Sequence, residues 1–406
     1  MTSSEYSHHA HAGLELRRSA AIVAVGAMIG VLFAGSTIVT PLYIMYKQAF
    51  HFSQISLTLI YAAYVIGNLC ALLVFGRLSD QIGRRPMAAA GMGLAVIGAL
   101  IFLFANGIAS LYAGRILSGL AIGIGAGTGT AWLAELVGEE SKARATVIAT
   151  SANFTGLGIG ALVAGMLAEY APWPLQLPFI VYLGVLVVVG ALVWLAPETV
   201  AEPQRSIKGL SIKPRASVPS EIRTKFVAPA VTGFGSMALV GFYAALAPTL
   251  LAKELHITSH AIAGAIFLEL AIVVAGTIVL TRSLSSRTAM LAALALMLPS
   301  VAVLVAAQFA KSMLVLIVAT AICAAASGLG YRGSLQVANN IAPPERRAEI
   351  VSSYFICGFA GNALPVIGVG VISTLAGPIA ASLAFAVSIA AFALTALFFG
   401  IRYLPK

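Results

Sequence analysis

Charge is scarce in this chain. Of its 406 residues only 9% are Asp, Glu, Lys or Arg, and acids are the rarer sign, 14 against 24 Lys and Arg. A soluble domain of this length needs a charged surface and cannot bury a composition that is 60% hydrophobic. What remains is an all-α membrane protein that crosses the bilayer many times. Cysteine is nearly absent: Cys70, Cys323 and Cys357 all fall in apolar runs. That excludes a disulfide framework and a thiolate metal site, and leaves them as small packing residues. The six histidines, His8, His9, His11, His51, His256 and His260, include no H-E-x-x-H pair, so neither metal nor cofactor is expected. A G-x-x-x-x-G-K-[ST] loop is missing as well, so energy has to come from a gradient and not from a nucleotide. With no paired catalytic acids and no nucleophile–base set, no enzyme is expected. A cleavable leader is not expected either: residues 1–18 are polar, and the apolar run from Ser19 is long enough to span.

What is present is a series of twelve apolar runs of about 20 residues or more. They lie near 19–45, 54–75, 86–106, 109–136, 146–169, 177–196, 226–251, 260–281, 288–307, 312–340, 348–374 and 378–401. The longest polar interruption, 197–225, holds six Lys and Arg and reads as a linker. It divides the chain into a short tail (1–18), a first bundle of six helices (19–196) and a second bundle of six (226–401). The net charge of +10 does not point to nucleic acid, because the cations sit between the runs. With both termini inside, inner segments hold nineteen Lys and Arg, and outer loops hold only Lys47, Lys253 and Lys311. That bias places both termini in the cytoplasm.

The densest charge inside the first bundle is Gly76-Arg77-Leu78-Ser79-Asp80-Gln81-Ile82-Gly83-Arg84-Arg85-Pro86. Its glycines permit a tight reversal, and Pro86 suits the first turn of the next helix. Asp80 is a lone acid among arginines and needs a partner. The stretch resembles the loop between helices 2 and 3 of the major facilitator superfamily, G-x-L-[AS]-D-x-x-G-[RK]-[RK]. Gly76, Leu78, Ser79, Asp80, Gly83, Arg84 and Arg85 match, and the likeness extends over residues 20–400. Shifting the first half by 203 residues places Arg84 on Arg287, a faint internal repeat of the kind a rocking carrier uses.

The resemblance implies two pseudo-symmetric six-helix bundles and a set of working residues. Arg84 would pair with Glu135 at the inner end of helix 4. Asp80 would face the start of helix 11, near Ala348 to Val351, so that Gly76, Asp80, Gly83, Arg84, Arg85 and Glu135 latch the halves. Arg115, in a helix 4 pattern L-x-x-x-R-x-x-x-G one turn inside the outer end, is implicated in proton coupling. Gly156, Gly160 and Gly165 match part of the helix 5 antiporter motif, with Ala161 in place of its proline; a glycine-rich packing face is the other reading. Helices 1, 4, 7 and 10 line the family's cavity, which makes Thr40, Tyr43, Phe242 and Tyr243 lining candidates.

Other readings come from the residues themselves. Glu269 is the one acid well inside a run, where burial disfavours its charged form, so it is a candidate to take up and release a proton. Arg332, near the inner third of helix 10, is expected to face the inner vestibule or an anionic substrate group. Tyr61, Tyr64, Asn68 and Asn153 are further polar or aromatic cavity candidates, and Asn362 with Pro365 could mark a kink. Together these residues imply a secondary transporter of a bacterial inner membrane, working as a monomer on a small molecule with protons as the coupling ion. Export of drug-like or amphiphilic compounds is the leading expectation. Proton-coupled uptake of a sugar, organic acid or other small metabolite stays open.

Overall fold

The computed structural model describes residues 15–75, 78–138, 142–201 and 216–404. They form twelve helices long and apolar enough to cross a membrane. These are α1 (Arg18–Phe50), α2 (Gln54–Phe75), α3 (Arg84–Leu103), α4 (Ile108–Val137), α5 (Arg144–Tyr170) and α6 (Leu177–Trp194) in the first half. The second half holds α7 (Ser220–Lys253), α8 (His260–Leu280), α9 (Ser286–Ala310), α10 (Met313–Ile341), α11 (Pro344–Ala376) and α12 (Pro378–Tyr403).

Short polar signals start these helices. Ser53, Ser259, Ser285 and Ser312 each accept a hydrogen bond from a backbone N–H in the first turn of α2, α8, α9 and α10, satisfying donors that lipid could not. Gly83 begins α3 at φ +112°, a conformation costly for any residue with a Cβ. The ends differ from the apolar runs at two places. Helix α1 is interrupted at Ile38, between segments Arg18–Thr37 and Val39–Phe50, because Pro41 has no N–H to offer the Thr37 carbonyl. Helix α11 instead runs on through Pro365.

Lipid gives no hydrophobic drive for these helices to associate, so close approach of small residues holds them. On α5, Gly156 lies against Gly30 and Gly160 against Ala34, both on α1, whereas Gly165 meets His260 and Ala261 of α8. Within the halves, α3 packs on α4, α1 on α5, α9 on α10 and α7 on α11; between them, α5 packs on α8 and α2 on α11.

Candidate functional site

Between the halves lies a cavity of about 850 Å³. Its deep end is formed by Ser36, Thr37, Tyr61, Tyr64 and Arg115; its walls reach Ala134, Thr146 and Asn339 at helix ends on the face that carries Gly83 and Arg84. It opens on that basic face.

The opposite rim is shut. The hydroxyls of Tyr61 and Tyr64 on α2 both donate to the Asn362 side-chain oxygen on α11, at 2.7 and 2.8 Å. Asn362 in turn donates to the Met237 carbonyl of α7. On the other side of the rim, the His260 backbone N–H at the start of α8 donates to Glu169 of α5 at 2.7 Å, and its Nδ1 lies 3.0 Å from the Pro41 carbonyl. Gly165 and Gly264 allow α5 and α8 to touch backbone to backbone beside these bonds. Asn362→Ala removes the acceptor shared by two hydroxyls. Each such bond in a membrane is worth about 0.6–1.7 kcal/mol, so losing two shifts the opening equilibrium of this rim roughly 8- to 300-fold. Spin labels at His51 and Glu254 will report it as a larger long-distance population; an unchanged distance distribution would refute the role of this triad.

Arg115 is buried, 1% exposed. It sits about 10 Å along α4 from Ile108 at 1.5 Å per residue, two turns in and not one. One guanidinium N–H donates to the Ser36 carbonyl at 2.7 Å and another to the Tyr61 carbonyl at 3.4 Å. The rings of Tyr61 and Tyr64 lie 5.3 and 4.8 Å from its carbon.

On the basic face the structure brings together Asp80, Arg84 and Glu135. Arg84 is 4% exposed. It grips Glu135 through two nitrogens, at 3.1 and 2.5 Å, and reaches Asp80 at 2.6 Å and the Ser79 hydroxyl at 2.7 Å. Thr199 donates to Glu135 as well. Glu198 accepts the backbone N–H groups of Arg84 and Arg85, both at 2.9 Å, a carboxylate at the positive end of α3. Arg85 donates to the Ala196 carbonyl and to Glu15. These partners lie in the first bundle, in the tail before it (Glu15) or at the start of the linker after it (Glu198 and Thr199), and none of them lies in the second bundle.

The sequence model described as Major Facilitator Superfamily matches residues 25–366 of this chain. The chain belongs to that superfamily. Among curated relatives it is similar to the multidrug transporter MdfA of Yersinia pestis, 30% identical over 34% of this chain and 33% of the relative. An uncharacterized transporter of Schizosaccharomyces pombe is 25% identical over 36% of this chain and 30% of its own length. Multidrug resistance protein 2 of Bacillus subtilis is 26% identical over 37% of each. The chain thus spans about a third of the length of the curated relatives it matches. Among solved structures, a bacterial homolog of the human lysosomal transporter Spinster, inward-facing and unoccupied, shares the fold. Its TM-score is 0.73, at 16% identity over 96% of this chain and 99% of that one. The human organic anion transporter MFSD10 gives a TM-score of 0.68, at 15% identity over 95% and 100%.

For this superfamily member several sequence expectations need correction. Asp80 does not face the start of α11; it pairs with Arg84 four residues on, and its side chain is 59% exposed. With the basic face open, α11 stands away and the network fastens one half, not two. Gly76 lies outside the described residues, as do the tail before Glu15 and residues 202–215 of the linker. Thr40, Tyr43, Phe242 and Tyr243 are buried and line no part of the cavity. Thr40 and Tyr43 follow the last lining residue of α1, Thr37, whereas Phe242 and Tyr243 lie at the depth of the lining residues Val240 and Ala244 on another face of α7, where Phe242 stacks on Phe385 of α12 at 4.7 Å. Arg332 lines the cavity, but its guanidinium donates to the carbonyls of Thr281, Arg282 and Leu284 at 2.6–2.9 Å. It caps the end of α8, where unpaired carbonyls and the dipole both favour a cation. Glu269 is half-buried and absent from the lining. It lies about 160° around α8 from the lining residue Phe267, at 100° per residue.

Tyr61, Tyr64, Asn68 and Asn153 do line the cavity. Sequence reasoning missed Glu198 and Thr199, whose signal was an acid directly after a span and beside the basic turn. It also missed Gln336 and Asn339, two amides in the last turns of α10.

Proposed function

We propose that this protein is a secondary active transporter that works by alternating access and exports drug-like or amphiphilic small molecules against a proton gradient. The observation that carries the reading is the 850 Å³ cavity between two halves, open at one rim and bonded shut at the other. Rocking the halves exchanges which rim is bonded. The Lys and Arg bias assigns the open rim to the cytoplasm, the side from which an exporter loads. Apolar and aromatic walls, among them Phe33, Phe154, Phe267, Phe355 and Phe359, suit an amphiphile. The 197–225 linker joins the two moving bundles, both termini are cytoplasmic, and the unit is a monomer in a bacterial inner membrane.

Glu269 is the proton carrier in this reading. Among the described residues no hydrogen bond or ion pair satisfies it, and a charged carboxylate against hydrocarbon is costly. Its ionisation therefore favours whichever position of α8 wets it, which couples protons to the swing without placing them in the substrate site. Everted vesicles with an imposed pH gradient test both points. The wild type is expected to concentrate an amphiphilic dye, and Glu269→Gln to lose the gradient-driven part while remaining folded. Gradient-driven flux retained in Glu269→Gln removes this residue from the proton path. The cavity also carries the amides of Asn68, Asn153, Gln336, Asn339 and Asn362, which favour a second reading, proton-coupled uptake of a polar metabolite. Direction decides: expression lowers cellular dye for an exporter and raises labelled metabolite for an importer.

A further inference from the structure

The charge of the cavity is unbalanced. Two arginines line it, Arg115 and Arg332, and among the described lining residues there is no Asp or Glu. Arg332 has its guanidinium committed to three backbone carbonyls. Glu135, near the open rim, is neutralised by Arg84. Arg115 is the exception. It is buried at the deep end, its acceptors are two neutral carbonyls, one of them distant at 3.4 Å, and its Nε–H has no acceptor. A guanidinium offers five N–H donors in one plane, so most of its capacity is unspent. A cation inside a span without a counter-ion is costly. The faces of Tyr61 and Tyr64 soften that cost without removing the charge.

We infer that the substrate of this cavity is an amphiphile with one negative charge, a carboxylate or sulfonate on an apolar body, and that Arg115 is the residue that holds its head group. The inference rests on the transporter reading above and names the substrate class for that site. A cation in the cavity meets like charge in a low dielectric, where repulsion is strong. An uncharged molecule leaves the donors of Arg115 unspent. An anion receives charge-assisted bonds, the stronger kind, and its apolar body lies on Tyr64, Phe267, Phe355 and Phe359 along the wall. The site is loaded from the open rim, since the other approach to Arg115 is covered by the Tyr61 and Tyr64 hydroxyls bonded to Asn362.

The test uses the purified full-length protein and three probes of similar shape: 1-naphthylacetate, 1-naphthylacetamide and (1-naphthylmethyl)trimethylammonium. Binding of each is measured by equilibrium dialysis in zwitterionic phosphatidylcholine nanodiscs, so that no anionic lipid competes. The expected result is that the carboxylate binds at least about tenfold tighter than the amide, with the cation weakest. Arg115→Gln should bring carboxylate and amide to parity, while Arg115→Lys keeps part of the preference. The ranking on the unmodified protein tests the inference even where the Gln variant fails to fold. Equal or tighter binding of the amide or the cation overturns it, as does an undiminished carboxylate preference in a folded Arg115→Gln. Binding of none of the three at millimolar concentration overturns the amphiphile reading of the cavity, and this inference with it.

Discussion

Gly264→Leu is expected to abolish transport and leave the protein folded. Gly264 of α8 faces α5, where a Cβ would overlap the Ala161 carbonyl oxygen and come within 2.9 Å of the Ala161 carbonyl carbon and the Leu162 Cα. All three obstacles are backbone, so no rotamer change relieves the clash. The two helices belong to different halves, and relief comes by parting the halves at that rim. Overpacking of this kind costs about 1–3 kcal/mol, a shift of about 5- to 150-fold in a two-state equilibrium. Each half keeps its own packing, so the melting temperature should change little. A cysteine at Asn153, in a background with Cys70, Cys323 and Cys357 replaced by serine, gives the readout. It should become reactive to an impermeant thiol reagent from the face opposite Arg84, and lose reactivity from the basic face. Gly276→Leu, where a Cβ meets nothing within 4 Å, is the control. Normal flux in Gly264→Leu would show that the α5–α8 seam does not gate.

Removing Arg84 should have the largest effect on stability. Breaking a buried ion pair on one side costs about 3–5 kcal/mol. The Glu135 side chain is 37% exposed, so solvent screens part of the loss and Arg84→Ala should cost about 3 kcal/mol. Arg84→Lys should rescue little, because an ammonium cannot grip both Glu135 oxygens and still reach Asp80 and Ser79. Glu135→Gln should cost less than Arg84→Ala, since Arg84 keeps Asp80 and Ser79 as partners. Thermal unfolding in detergent, read relative to wild type, measures all three, and the Arg84/Glu135 double-mutant cycle isolates the pair. A melting temperature within error of wild type for Arg84→Ala would refute the fastening role.

Span number was legible because it rests on local signals, whereas the Arg84–Glu135 pair was expected from the family resemblance. Runs of apolar residues announce the helices, and Arg84 and Glu135 stand out as charges flanking them. Asp80 was misread for a conformational reason: its family-implied neighbour on α11 is a question of which rim is closed, and nothing local in the sequence encodes that. Thr40 and Tyr43 fell outside the cavity because they lie past its last α1 lining residue, Thr37, and Phe242 and Tyr243 because α7 turns them away from it between Val240 and Ala244. Arg332 shows a different limit. Its depth along α10 was readable, but the three carbonyls it caps come from the end of α8 and the turn after it, brought near by packing alone. Glu269 was rightly seen as a membrane carboxylate, yet its direction depends on how α8 is rotated against α5 and α10. Small residues set that rotation, Gly264 against Ala161 and Gly328 against Val274 and Thr277.

The fastenings are distributed unevenly between the two ends of the molecule. At the end bearing Arg84, the polar bonds described stay within one half; at the end bearing His260, Glu169 and Asn362, they join the two. Departure from this posture is therefore an uncorking: its speed depends on a few contacts at one mouth, and ionic strength, which weakens exposed charge pairs most, should leave that speed nearly untouched.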